Sequence, residues 1–209
     1  MKEFFIIIFL ALISMQNAIQ KDKMIIIYFS RTGNTEKFAN YIKKNTNITS
    51  FKIVPSTDYP NDYDSTLTLA KKEREENARP NIQNPLTDIS KYDIILLGYP
   101  LWHSHIPNII ITQLEKLDLN GKTIYPFNTH GSSGIGSSVN DIKTYASGAT
   151  VKEGKPIKGS QIDKKEEEII DWLDDNFDLE SNDIYNQVLN YFRINKFKYF
   201  FLISLFILF

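Results

Sequence analysis

Met24-Ile25-Ile26-Ile27-Tyr28-Phe29-Ser30-Arg31-Thr32-Gly33-Asn34-Thr35 sets the reading of this chain. Residues 24–29 form an unbroken, β-branched-rich apolar run without alternation, which is how a strand buried on both faces reads. A short polar turn follows. Beyond it, Phe38, Ala39, Tyr41 and Ile42 fall near helical spacing, so a helix is expected over residues 35–45. A strand that passes through such a turn into a helix gathers unpaired N–H groups and the positive end of the helix dipole at one point, a natural seat for an anion. Ser30, Thr32 and Thr35 add hydroxyls, Asn34 an amide, and Gly33 a tight turn. Arg31 is the charged member of the loop, and its side chain is expected to point to solvent. Taken alone, the same residues also read as an ordinary polar turn with a capped helix start. They do not form the Gly-Lys-Ser/Thr phosphate loop of nucleotide hydrolases.

Outward from this stretch, apolar runs alternate with amphipathic segments. Further strands are expected over residues 49–54, 92–98, 122–128 and 149–152. Helices are expected over 64–77, with Leu67, Ala70 and Arg74 on one face, and over 108–117, 134–145 and 164–176. Pro55 stops the second strand, and Pro107 suits the first turn of a helix. Strands and helices in alternation, too far apart for hairpins, imply right-handed crossovers: an α/β fold with a five-stranded parallel sheet in order 2-1-3-4-5 and helices on both faces. In that order a ligand sits where strand order reverses. The loops after Phe29, Gly98 and Phe127 should therefore converge on one site.

The second of these loops is Pro100-Leu101-Trp102-His103-Ser104-His105, and the third is Asn128-Thr129-His130-Gly131-Ser132-Ser133-Gly134. Trp102 offers a flat apolar surface for a planar ligand, or else a core ring. The third loop offers backbone amides at a helix start, or else a flexible Gly/Ser turn. His103, His105 and His130 lack an accompanying carboxylate cluster, so a metal triad is disfavoured. There is no Gly-x-Ser-x-Gly elbow and no convincing catalytic triad.

Several blocks together resemble the flavodoxin-like family. Ser30-Arg31-Thr32-Gly33-Asn34-Thr35 is similar to its (T/S)-x-T-G-N-T phosphate signature, and Gly98-Tyr99-Pro100-Leu101-Trp102 to its Gly-Tyr-Pro-x-Trp segment. Gly121-Lys122-Thr123-Ile124 and the stretch from Phe127 to Gly134 match later blocks in order, so the resemblance spans residues 23–175. It implies a flavodoxin-like fold that binds FMN. The implied contacts come from Ser30 through Thr35, from Pro100, Leu101, Trp102 and His103, and from Asn128, Thr129, His130, Gly131, Ser132 and Gly134. It implies electron transfer or oxidoreductase activity. The partner is either a redox protein or NAD(P)H with a small, quinone-type acceptor. The absence of Asp and Glu from these loops implies a flavin that is easier to reduce than one ringed by acids. Pro55-Ser56-Thr57-Asp58-Tyr59-Pro60, Glu73 and Arg79-Pro80 fit the same pattern. Glu73 and Arg79 are expected to pair as ions, and Tyr59 and Tyr63 to cover the sheet edge. A flavin-free, membrane-associated binding protein on the same fold is the alternative.

Composition bounds these readings. The chain has 209 residues and a net charge of -1, which leaves no basic surplus for nucleic acid. It has no cysteine, which excludes thiol chemistry, iron–sulfur ligation and thiolate zinc sites. A domain is expected over 23–178. Residues 1–20 carry Lys2 and an apolar run over 4–13, as in a signal peptide or N-terminal anchor. Residues 179–209 form an extension whose apolar tail, 197–209, follows Arg193, Lys196 and Lys198 and is shorter than the roughly 20 residues of a membrane-spanning helix. These ends point to an exported or membrane-associated protein. If the N-terminal segment does not act as a signal, the expectation is a cytoplasmic one.

Overall fold

Helix and strand boundaries in the computed structural model, which describes residues 21–177, follow the apolar runs closely. The expectations for residues 1–20 and 179–209 lie outside the described residues. Strands β1 (Met24–Tyr28), β2 (Thr49–Lys52), β3 (Ile94–Pro100), β4 (Thr123–His130), β5 (Thr150–Val151) and β6 (Lys155–Lys158) alternate with helices. The helices are α1 (Asn34–Thr46), α2 (Tyr63–Glu75), α3 (Asn108–Leu114), α4 (Ser138–Tyr145) and α5 (Glu166–Phe177), with a 3-10 turn at Gly159–Lys164. Among the described residues no helix is long and apolar enough to cross a membrane.

The sheet order is β2-β1-β3-β4-β5, all neighbours parallel, as the run pattern predicts. The fifth position differs in detail from the expectation. Two short strands share it: β5 pairs with Thr123 and Ile124, and β6 with Phe127 through His130. Both lie along the side of β4 that β3 leaves open. Residues 152–154 separate them.

Residues 21–172 form one compact unit. Because side chains alternate across a pleated strand, the sheet feeds a core on each face. Ile25, Ile27, Ile95, Leu97 and Ile124 pack with Ile109, Ile110 and Ile142 from α3 and α4. On the other face Phe38 of α1 lies 4.6 Å from the ring of Phe127 and 6.2 Å from that of Trp172 in α5. Each such fully buried aliphatic or aromatic side chain contributes about 1.5–3 kcal/mol. Helices α2, α3 and α4 pack in sequence on their face, where Tyr99 donates from its hydroxyl to Ser138 Oγ at 2.9 Å.

Around α2, the expected Glu73–Arg79 ion pair and the expected covering role of Tyr63 are corrected. The buried positions of α2 are Thr66, Ala70 and Glu73, while Arg74 is exposed. Glu73 and Arg79 do not pair. Arg79 forks onto Glu115 just beyond α3, with Nε and Nη2 donating at 2.6 and 2.7 Å, while Glu73 accepts from the Tyr59 hydroxyl at 3.1 Å. Tyr59 is buried as expected of a covering residue, but Tyr63 is 61 % exposed and covers nothing.

Candidate functional site

At the end of β1, Phe29 N–H still donates to Gly98 O at 3.0 Å, so the ladder runs one residue into the first loop. Gly33 N–H then donates to Ser30 Oγ at 3.1 Å, closing a small hydroxyl turn. Gly33 is the cap of α1 with φ 88°, a conformation that L side chains rarely adopt. Lacking a side chain, it leaves the first amides of α1 without a side-chain cap. A Cβ built there would meet nothing within 4 Å, so the space above the loop is open. Uncapped amides, hydroxyls and open space together make a seat for an anion.

Glu36, in the first turn of α1, would repel such an anion. Its carboxylate is instead held by Lys52 Nζ at 2.8 Å and by the Tyr28 hydroxyl at 3.2 Å. Burial and the Glu36 charge push the Tyr28 phenol up to about 12, so it stays a donor. Arg31 does not point to free solvent. Its Nη1 donates to the carbonyls of Pro60 and Asn61, both at 2.9 Å, and clamps the segment before α2 to the loop.

The second loop is tied to the third by Leu101 N–H donating to Thr129 O at 2.9 Å. Trp102 and His105 then exchange backbone hydrogen bonds, N–H to O at 3.1 and 2.9 Å, around His103 and Ser104. Both turn residues have positive φ, 49° and 66°. A two-residue turn of this kind normally takes Asn or Gly, and holding a larger residue left-handed costs about 1–2 kcal/mol. Neighbours enforce the shape. Ser104 O accepts from Ser137 N–H at 2.7 Å, and His103 Nε2–H donates to Leu67 O at 2.9 Å. Gly136 lies so close that a Cβ on it would stand 2.5 Å from Ser104 O.

Trp102 is 7 % exposed. Tyr59 lies 5.0 Å from its ring at a steep angle and Phe29 5.8 Å away edge-on. It underpins the turn from the core. Pro100 and Leu101 are half-buried, and His103 is exposed.

In the third loop, Thr129 Oγ1 lies 2.8 Å from Thr35 Oγ1. Asn128 is fully buried; its Nδ2 donates to Gly134 O at 3.3 Å, while Oδ1 has no partner among the described residues. Nδ1 of His130 is likewise buried and unpartnered. Burial, together with the Lys158 ammonium, holds that imidazole below the usual histidine range. Gly131 and Ser132 are exposed, and Gly134 is half-buried. The three loops therefore do converge, through Phe29–Gly98, Thr35–Thr129, Leu101–Thr129 and Ser104–Ser137.

The three histidines are not gathered: His103 reaches α2, His105 reaches α4, and His130 sits beside Lys158. Among the described residues no group of three or more His, Asp or Glu is placed to hold a metal. Sequence reading overlooked Asp141 on α4. This carboxylate accepts from His105 Nδ1 at 2.9 Å, Arg74 Nη2 at 3.2 Å and Ile106 N–H at 3.2 Å. The second loop thus has an acidic neighbour, although its own residues include none. No local signal marks Asp141, because its partners lie far away in sequence.

Known proteins resemble this chain in sequence and fold. The sequence profile of the family described as Flavodoxin matches residues 23–176. Among solved structures, a candidate flavoprotein of Bacteroides eggerthii is 31% identical, with a TM-score of 0.62, covering 73% of this chain and 96% of that one. A flavoprotein of Lactobacillus acidophilus, solved in complex with FMN, is 26% identical with a TM-score of 0.57, covering 68% and 97%. Among curated protein sequences none matches.

Proposed function

The chain belongs to the flavodoxin family, and on that premise we propose that it binds FMN across the three loops and transfers electrons through it. The observation that carries this reading is the uncapped start of α1 behind Gly33, ringed by Ser30, Thr32, Asn34 and Thr35. The donor set of hydroxyls and amides suits a phosphate monoester, and Glu36, the carboxylate in the first turn of α1, is already paired with Lys52. In the third loop, Asn128 Oδ1 and His130 Nδ1 are buried polar atoms without partners. An acceptor of this kind suits the N–H of a flavin's pyrimidine edge, and a ring nitrogen suits either role.

Bound there, FMN supplies hydride and single-electron chemistry; the protein supplies binding, orientation and local charge. Ser30, Thr32 and the α1 amides hold the phosphate. Lys158 and the neutral His130 leave that end of the site without a competing negative charge, which favours electron density there.

Titration with FMN and with riboflavin, followed by visible absorbance, tests the binding reading. FMN is expected to bind at least tenfold more tightly, since only it carries the phosphate. A colourless protein that ignores FMN overturns the reading and favours the flavin-free alternative. Stopped-flow mixing of the FMN-loaded protein with NADH and NADPH then separates two roles. Rapid bleaching assigns a reductase that delivers to a small, quinone-type acceptor; slow bleaching assigns a carrier serving a redox protein.

A further inference from the structure

On the reading that FMN binds across the three loops, we propose that His130 takes up a proton when the flavin is reduced, so that electron gain by the cofactor is matched by proton gain on this side chain. Asn128 and His130 are two apart on β4 and project from the same face of the strand. Each buries a polar atom that no described residue satisfies, Asn128 Oδ1 and His130 Nδ1. Such orphans are costly unless a ligand or a water meets them. The amide oxygen can only accept, whereas the ring nitrogen can donate. That combination matches the alternating N–H and carbonyl groups of the flavin's pyrimidine edge, where negative charge gathers on reduction.

The charges around His130 suit this role. Lys158 is its register partner on β6, and burial together with that ammonium favours the neutral imidazole before reduction. Residues 131–137 of the third loop carry no charge. Tyr99 at the end of β3, kept protonated by burial, donates to Ser138. Asp141 of α4 is held by His105 and Arg74, and Lys155 of β6 by Glu168. Among the described residues no carboxylate pairs with His130, so the reduced flavin supplies the negative charge that draws the proton. Two electrons from a low-potential two-electron donor and one solvent proton leave the flavin as a reduced anion. A second solvent proton settles on Nε2, the nitrogen of this half-buried ring that is not sealed from water.

The test follows the Cε1–H signals of the three histidines by NMR during pH titration. The sample is the full chain saturated with FMN, first oxidised and then reduced anaerobically with dithionite. The signal lost in His130→Gln is that of His130; should this variant fail to fold, His103→Gln and His105→Gln assign it by elimination. The His130 midpoint is expected to rise on reduction by about one pH unit or more, the usual effect of an opposite charge in contact. By linkage, a tenfold gain in proton affinity is a tenfold gain in the reduction equilibrium, about 30 mV for two electrons. The pH dependence of the potential should flatten by that amount in His130→Gln. A His130 midpoint that reduction leaves unmoved, or moves no further than those of His103 and His105, overturns this proposal alone while the flavin band persists. A chain without a flavin band overturns it together with the FMN reading.

Discussion

Thr35 and Thr129 share a buried hydroxyl–hydroxyl contact of 2.8 Å that links the start of α1 to the strand that carries the third loop. Removing one hydroxyl while keeping its shape leaves the other unsatisfied, which costs about 1–3 kcal/mol. Thr129→Val should lower stability by that amount in urea denaturation. The double variant Thr35→Val/Thr129→Val should lose less than the sum of the two singles, because no orphan remains.

Thr32 is exposed in the first loop and makes no hydrogen bond with another described residue. Thr32→Ala should therefore leave stability within about 0.5 kcal/mol of the parent. Its FMN affinity should fall by about tenfold, a loss of about 1.4 kcal/mol. Riboflavin affinity, measured in parallel, should not change.

Ser104 sits at φ 66°. Glycine adopts this conformation freely, but it also raises the entropy of the unfolded chain, offsetting part of the gain. Ser104→Gly should stabilise the protein by about 0.5–1 kcal/mol, the relieved strain less that offset. Denaturation midpoints would read the sign directly.

Glu73 is buried, and desolvation raises its carboxyl above the ordinary glutamate value, with the Tyr59 hydrogen bond acting the other way. A raised folded-state pKa contributes stability that is full below the unfolded value of 4.5. That stability is lost as pH rises through the folded value. Glu73→Gln stays neutral throughout. Its melting temperature should exceed the parent's at pH 7.5, and the gap should close as pH falls toward 4.

Much of this architecture was legible because burial on both faces of a parallel sheet writes itself as unbroken apolar runs. Met24 through Phe29 and Ile94 through Leu97 have no other comfortable fate. Strand β6 escaped notice for the opposite reason: Lys155-Pro156-Ile157-Lys158 has one buried apolar residue, a proline and two lysines. It is a strand only because β4 offers an open edge. The three loops were placed by topology, but their internal wiring was not. Arg31 reaching Pro60, Arg79 reaching Glu115 and His105 reaching Asp141 are contacts across α2, α3 and α4, set by helix packing that no local pattern encodes. The positive φ of His103 and Ser104 was equally hidden, since neither residue advertises a left-handed turn.

The division of the fifth sheet position has a further consequence for how copies of this chain meet in crowded solution. An exposed edge strand is a template on which another chain can add its own strand and begin aggregation. Here the β4 side ends in two fragments, Thr150–Val151 and Lys155–Lys158, the second bearing two charges and a proline that has no N–H to give. The opposite edge, Thr49–Lys52, is only four residues long and ends in a lysine. Neither border offers the long, flat, uncharged ribbon that intermolecular strand addition requires.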